Sequence, residues 1–152
     1  MRLHLREEGE KMKDAILVEL PTEDMDLIRP LWEKLNSHHL KKTKHFKEYF
    51  EKKTWDDRKK DLFNGNKEIK IIVVKDKNDE VIIGYCVSSI VDKVKGEIDS
   101  IYVDEKYRGY GYGSRLMEKS LEWLRDKGIT DIVICEENRK DIEEIKNTYL
   151  KG

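Results

Sequence analysis

Apolar and polar positions alternate along this chain with two different periods, and the changes of period mark its elements. Ala15–Leu20 is a short apolar run closed by Pro21, which predicts a strand. Thr22 then stands as an N-cap, with Glu23 and Asp24 in the first turn behind it. Met25, Ile28, Leu31, Trp32 and Leu35 recur at helical spacing, and Pro30 inside that pattern predicts a kink or a restart. Thr43–Asn64 forms a second helical region with Phe46, Tyr49 and Phe50 on one side, and Thr54 is placed to cap its later half before Asn64-Gly65. Glu68–Lys75 and Val81–Val91 read as strands joined by the turn-rich Asp76-Lys77-Asn78-Asp79, and Gly96 marks a further turn before a third strand, Glu97–Val103.

The pattern changes after Val103. Arg108–Gly113 is rich in glycine, and Ser114–Lys127 is amphipathic, with Leu116, Met117, Leu121 and Leu124 on its apolar face and Gly128 as its stop. Ile129–Cys135 reads as a buried strand and Asn138–Tyr149 as a last helix. Residues 1–13 form a polar leader without structural signal, and 14–152 form one domain with no repeat or linker.

A length of 152 residues fits a single compact core without disulfides or metals. Charged residues make up 41% of it, yet 31 basic against 32 acidic residues leave a formal net charge of −1. That balance argues against a nucleic-acid or membrane-surface binder, and Lys41-Lys42-Thr43-Lys44 reads as a solvated face. Cys86 and Cys135 lie in apolar runs and are expected as buried thiols. His38-His39 has no third ligand at suitable spacing, so no metal site is expected. The charged start lacks the apolar stretch of a signal peptide, and no apolar window is long enough to span a bilayer, so a cytoplasmic location is expected.

The chemistry lies where a strand runs into a glycine-rich turn that opens a helix. Such a turn gathers backbone N–H groups, the helix dipole adds positive potential, and glycines admit a phosphate closely. A Walker A loop would end in Gly-Lys-Ser/Thr, whereas Gly113 is followed by Ser114-Arg115. A dinucleotide fingerprint would space its glycines as G-x-G-x-x-G within a parallel unit, whereas Gly109, Gly111 and Gly113 stand two apart after a meander. By composition alone, a Gly/Tyr loop without a ligand stays open.

The segment from Glu97 through Val103 to Arg108-Gly-Tyr-Gly-Tyr-Gly113-Ser-Arg-Leu-Met117 resembles the core motif of the GNAT acetyltransferases. Their signature, Q/R-x-x-G-x-G/A, is matched by Arg108, Gly111 and Gly113, and the likeness covers roughly residues 68–138. The resemblance implies an α/β (mixed α+β) fold: a central, mostly antiparallel mixed sheet, splayed at the CoA site and flanked by helices. It implies acetyl-CoA as cosubstrate, with its pyrophosphate on the loop formed by Arg108, Gly109, Tyr110, Gly111, Tyr112, Gly113 and Ser114. The pantetheine arm would pair with Ile101, Tyr102 and Val103, and a bulge in that strand would offer an N–H to the thioester carbonyl.

An amine acceptor must lose a proton before it attacks, so a carboxylate base is useful. Strand alternation places Glu97, Asp99, Ile101 and Val103 on one face. Glu97 stands where several members of the resembled family carry their catalytic glutamate, and Asp99 is the second candidate. Tyr149 is the nearest match to the family's proton donor for the leaving thiolate, although Asn138 precedes it by eleven residues where the family has about seven. Family members usually continue into a last strand, whereas this sequence stops at Lys151-Gly152, so a shortened fold, a missing tail or a partner's edge is expected, with a homodimer preferred. The function implied is transfer of acetyl to a primary amine, on a small molecule or a protein, by direct attack. The alternative is a non-catalytic acyl-CoA-binding sensor or interaction module.

Overall fold

The computed structural model describes residues 15–42, 54–63, 65 and 67–134. The polar leader, Phe46, Tyr49, Phe50, Cys135 and the expected Asn138–Tyr149 helix lie outside the described residues. Among the described residues, five strands form one sheet whose spatial order follows the chain: β1 (Ala15–Leu20), β2 (Lys67–Asp76), β3 (Ile82–Val91), β4 (Lys95–Val103) and β5 (Asp131–Ile134). The first three pairings are antiparallel and the last is parallel, as expected of a mostly antiparallel mixed sheet.

One face carries helix α3 (Tyr112–Asp126), whose Leu116, Met117 and Leu124 pack on Ile72, Val74, Cys86, Ile98, Ile101 and Val103. The other carries a 3-10 turn (Thr22–Ile28) and helices α1 (Arg29–Lys42) and α2 (Trp55–Phe63), which bury Met25, Leu31, Trp32, Trp55 and Leu62 against Ile71, Val73, Tyr85, Val87 and Tyr102. Strand β2 supplies both layers by simple alternation, which is why its central run is apolar throughout. Among the described residues, no helix is long and apolar enough to cross a membrane.

Local chemistry explains most boundaries. Pro30 enters in the first turn of α1, where its missing N–H costs nothing, so the helix restarts there. Thr22 makes no side-chain cap; the 3-10 turn begins at Thr22 itself, behind Pro21. Thr54 does cap α2, and reciprocally: Asp57 N–H donates to Thr54 Oγ1 and Thr54 N–H to Asp57 Oδ2, both at 3.2 Å. Gly128 (φ +78°) closes α3, with its N–H on the Arg125 carbonyl and the Ile129 N–H on that of Leu124, both at 2.9 Å.

Two expectations are corrected. Gly96 is not in the turn: Asp92 and Lys93 make it, both left-handed, while Gly96 lies inside β4. A Cβ there would stand 3.0 Å from both Ile129 and Leu124, so the glycine is required by close packing of α3's end. The Ile129–Cys135 run is not uniformly buried either. Ile129 is covered, but β5 begins at Asp131, and its alternation leaves Asp131 and Val133 exposed on one face.

Gly96→Val is therefore expected to destabilise the fold by roughly 1–3 kcal/mol through overpacking, read as a lowered urea midpoint with an unchanged slope.

Candidate active site

Strand β4 pairs with β5 only over Lys95–Ile98, although it runs on to Val103. No described strand covers the far side of that extension. Along its other side, Ser88 pairs with Ile98 and Val87 with Ser100, so Asp99 is an extra residue without a partner on β3. This is a β-bulge, and it reverses the side-chain parity of the strand. Before it, Ile98 enters the core under α3; after it, Ile101 and Val103 do so. Asp99, Ser100 and Tyr102 belong to the opposite side with Glu97, where Ser100 Oγ meets Tyr85 Oη at 2.7 Å and Tyr102 joins the α1–α2 core. The sequence expectation that Glu97, Asp99, Ile101 and Val103 share a face is thus overturned. Glu97 and Asp99 do share one, and the bulge sends Ile101 and Val103 to the other.

Glu97 and Asp99 open into a cavity of about 270 Å³, lined also by Arg58, Asp61, Leu62, Lys67, Val133 and Ile134. Asp99 is 95% buried by exposed area, being only 5% accessible, and its Oδ2 has no hydrogen-bond partner among the described residues. Arg58, from α2, is buried beside it and donates from Nη2 to the Asp99 backbone carbonyl at 2.5 Å. Nothing in the local sequence singles out Arg58, and the reading above missed it. The pointer that existed was its helical spacing from Trp55 and Leu62, which places it on the buried face of α2.

Burial pushes the Asp99 carboxyl up to about 7; the nearby Ser89 hydroxyl and Arg58 pull it down, and the Glu97 carboxyl pushes it further up. The Ser89 hydroxyl is close enough to act, yet among the described residues it completes no hydrogen bond of normal geometry. Cys86 is buried under α3, with its thiol raised to about 11, chiefly by burial, which makes it inert as a nucleophile.

Beyond Val103 the chain turns through Glu105–Tyr107 into the glycine loop. Gly109 (φ +88°) and Gly111 (φ +85°) are both left-handed, and a Cβ on either would meet nothing within 4 Å. Gly111 is the N-cap of α3 and offers no side-chain acceptor to the helix's positive end. The helix begins at Tyr112, two residues before the expected Ser114, which puts Gly113 and Ser114 in its first turn. Arg108 folds back instead: its Nε donates to the Val103 carbonyl at 2.9 Å and its guanidinium lies 5.0 Å from the Tyr102 ring centre. Tyr110 is exposed while Tyr112 is buried. Lys34 of α1 holds Asp104 at 2.8 Å, tying the loop's start to the helical layer. Tyr149 lies outside the described residues.

Residues 31–143 match the sequence profile of the Acetyltransferase (GNAT) family, about three quarters of the chain. The chain belongs to that family. It is accordingly an acyltransferase, and the family's acyl donor is acetyl-CoA. The fold of this GNAT chain is similar to that of a mutant BH1408 protein from Bacillus halodurans (TM-score 0.65, 19% identity, covering 90% of this chain and 92% of that one). It is similar too to a ribosomal-protein-alanine N-acetyltransferase from Brucella melitensis biovar Abortus (0.57, 18%, 86% and 89%). A third likeness is to AAC(6')-Iy in complex with a bisubstrate analogue, CoA-S-monomethyl-acetylneamine (0.55, 14%, 88% and 88%). A stretch of 37 residues, 24% of the chain, is 76% identical to a part of the Lon protease of Porphyromonas gingivalis. The chain spans only 4% of that protein's length.

A carboxyl whose pKa is raised on folding stabilises the fold least when ionised. Its contribution is intact below the unfolded value near 4 and is lost as pH rises to about 7. Asp99→Asn should therefore melt higher than the parent at pH 8, by about 2 kcal/mol of stability, with the gap closing toward pH 5. Thermal melts across that range check it.

Proposed function

We propose that this GNAT chain transfers the acetyl group of acetyl-CoA to a primary amine by direct attack, with the Glu97–Asp99 pair as base. The observation that carries the reading is the junction of two features on one strand. At its bulge, β4 presents two carboxyls to a cavity, and at its end it delivers the chain into an open glycine loop at a helix N-terminus.

The loop fits a CoA pyrophosphate. Its left-handed glycines leave open space where side chains would stand, and the first turn of α3 supplies N–H donors with no intrahelical acceptor. Gly109, Gly111, Gly113 and Ser114 would hold the phosphates through backbone, with Tyr110 and Tyr112 flanking. Arg108 would contribute through its place in the loop, since its side chain is engaged with Val103 and Tyr102. The edge of Ile101–Val103 that β5 leaves uncovered suits the pantetheine arm. Acetyl-CoA supplies the acetyl group activated as a thioester.

The residues then divide the work. Asp99, or Glu97 through a water, takes the proton from the incoming ammonium, leaving a lone pair for attack on the carbonyl carbon. An N–H of the bulge meets the negative charge gathering on the carbonyl oxygen. As the carbon–sulfur bond breaks, the thiolate takes a proton, for which Tyr149 is the proposed donor. Leu62, Val133 and Ile134 give the amine's carbon stem an apolar wall. The cavity's volume accommodates a small amine or one side chain of a protein.

A CoA-release assay over a panel of amines and peptides, beside acetyl-CoA titration, tests this. Activity is expected to rise with pH through about 7 and then level, because the base must be ionised. Glu97→Gln combined with Asp99→Asn should lower kcat by about 100-fold or more while leaving acetyl-CoA binding intact. Acetyl-CoA binding without turnover on any amine would instead identify a sensor. Gly111→Val, forced into a left-handed backbone, should weaken acetyl-CoA binding by about tenfold.

A further inference from the structure

The bulge needs something to hold it, and the structure provides one candidate. A β-bulge leaves one residue without a partner in the ladder, and on the β3 side that residue is Asp99. Here the carbonyl of the bulged residue itself is held by a side chain 41 residues earlier in the chain, through Arg58 Nη2. That carbonyl carbon is bonded to the Cα bearing the Asp99 carboxyl. Because the peptide is planar, holding its C=O also fixes the N–H of Ser100 in the same plane.

Helix α2 is itself firmly placed. Trp55 donates from Nε1 to Asp26 Oδ1 at 2.8 Å and packs on Trp32 with ring centres 5.4 Å apart, while Lys59 meets the same Asp26 oxygen at 2.9 Å. One turn further along the same buried face, Arg58 reaches the bulge. A guanidinium is a planar, permanently charged donor, suited to holding a fixed acceptor where a lysine would be loose.

We propose that Arg58 is a positioning residue of acetyl transfer, clamping the bulge carbonyl and so setting how the Asp99 carboxyl and the bulge amides face the acceptor. This rests on the reading of Glu97 and Asp99 as the base. The role is electrostatic as well as geometric, since Arg58 opposes the rise in the Asp99 carboxyl. The groups facing Asp99 are Glu97 from its own strand, Ser89 from β3 and Arg58 from α2, with Asp61 and Lys67 also lining the cavity. Ser100 is tied in turn to Tyr85, a fully buried phenol whose pKa is pushed well up by burial, so that side of the bulge carries no competing charge at neutral pH.

The test compares Arg58→Met and Arg58→Lys with the parent in steady-state kinetics from pH 5 to 9, acetyl-CoA titration and carboxyl-carbon NMR of Asp99. Arg58→Met is expected to lose about 100-fold in kcat, as a misplaced reacting group does, with acetyl-CoA affinity within twofold and the midpoint of the pH profile moved upward. Arg58→Lys should restore part of the rate and most of the midpoint. A folded Arg58→Met enzyme with parental kcat and midpoint, and only a lower melting temperature, would overturn the proposal and leave Arg58 structural. If Arg58→Met does not fold, Arg58→Lys carries the comparison: a parental kcat there refutes a geometric clamp. Should the parent turn over no amine, the base reading fails on its own. The NMR titration then decides the clamp, an unmoved Asp99 midpoint and unmoved Asp99 and Ser100 amide signals counting against it.

Discussion

A single extra residue in β4 governs the arrangement of this molecule. Because side chains alternate strictly along a strand, one inserted residue exchanges the faces of everything after it. Ile98 before the bulge and Ile101 and Val103 after it all reach the core beneath α3, which a regular strand could not achieve. The same exchange leaves Asp99 and Ser100 consecutively on the opposite side, one in the cavity and the other bonded to Tyr85. Apolar packing on one layer thus concentrates polar groups in the other.

Buried polar groups are tolerated only where partners meet them. Ser100, Ser120 and Arg58 find partners on Tyr85, the Leu116 carbonyl and the Asp99 carbonyl. Among the described residues, Asp99 Oδ2 and Ser89 Oγ do not, although Asp99 is almost fully covered. An acid left in that position is raised to about 7, chiefly by burial, so it changes charge near neutrality.

Much of this was legible from the sequence, and the division follows how local each cause is. The loop could be read because Gly109 and Gly111 answer a backbone need that is visible in place, and the same holds for Gly128, for Thr54 with Asp57, and for Pro30 at a helix start. The face of Ile101 and Val103 could not, since a bulge is defined only against a partner strand, and Asp99-Ser100 carries no mark of one. Gly96 was misread for the same reason: its demand comes from Leu124 and Ile129, remote in sequence. Arg58 was hidden among a charged fraction of 41%, where its helical spacing from Trp55 and Leu62 was the one mark of a buried position. The motif, once recognised, carried the fold and the family, whereas the contacts that shape the acceptor side come from elements far apart in the chain.

The strand order has a consequence for how the molecule forms. β2, β3 and β4 are neighbours both in sequence and in the sheet, joined by turns of a few residues, so this meander can assemble through short-range contacts. β1 must close on β2 across both helices, pairing Ala15 with Asp76, and β5 must return across α3 to lie parallel to β4. The cavity draws its walls from all three stages: Glu97 and Asp99 from the meander, Arg58 and Leu62 from the intervening helix, Val133 and Ile134 from the returning strand. No partly assembled chain contains it, so the cavity exists only once all three stages are complete.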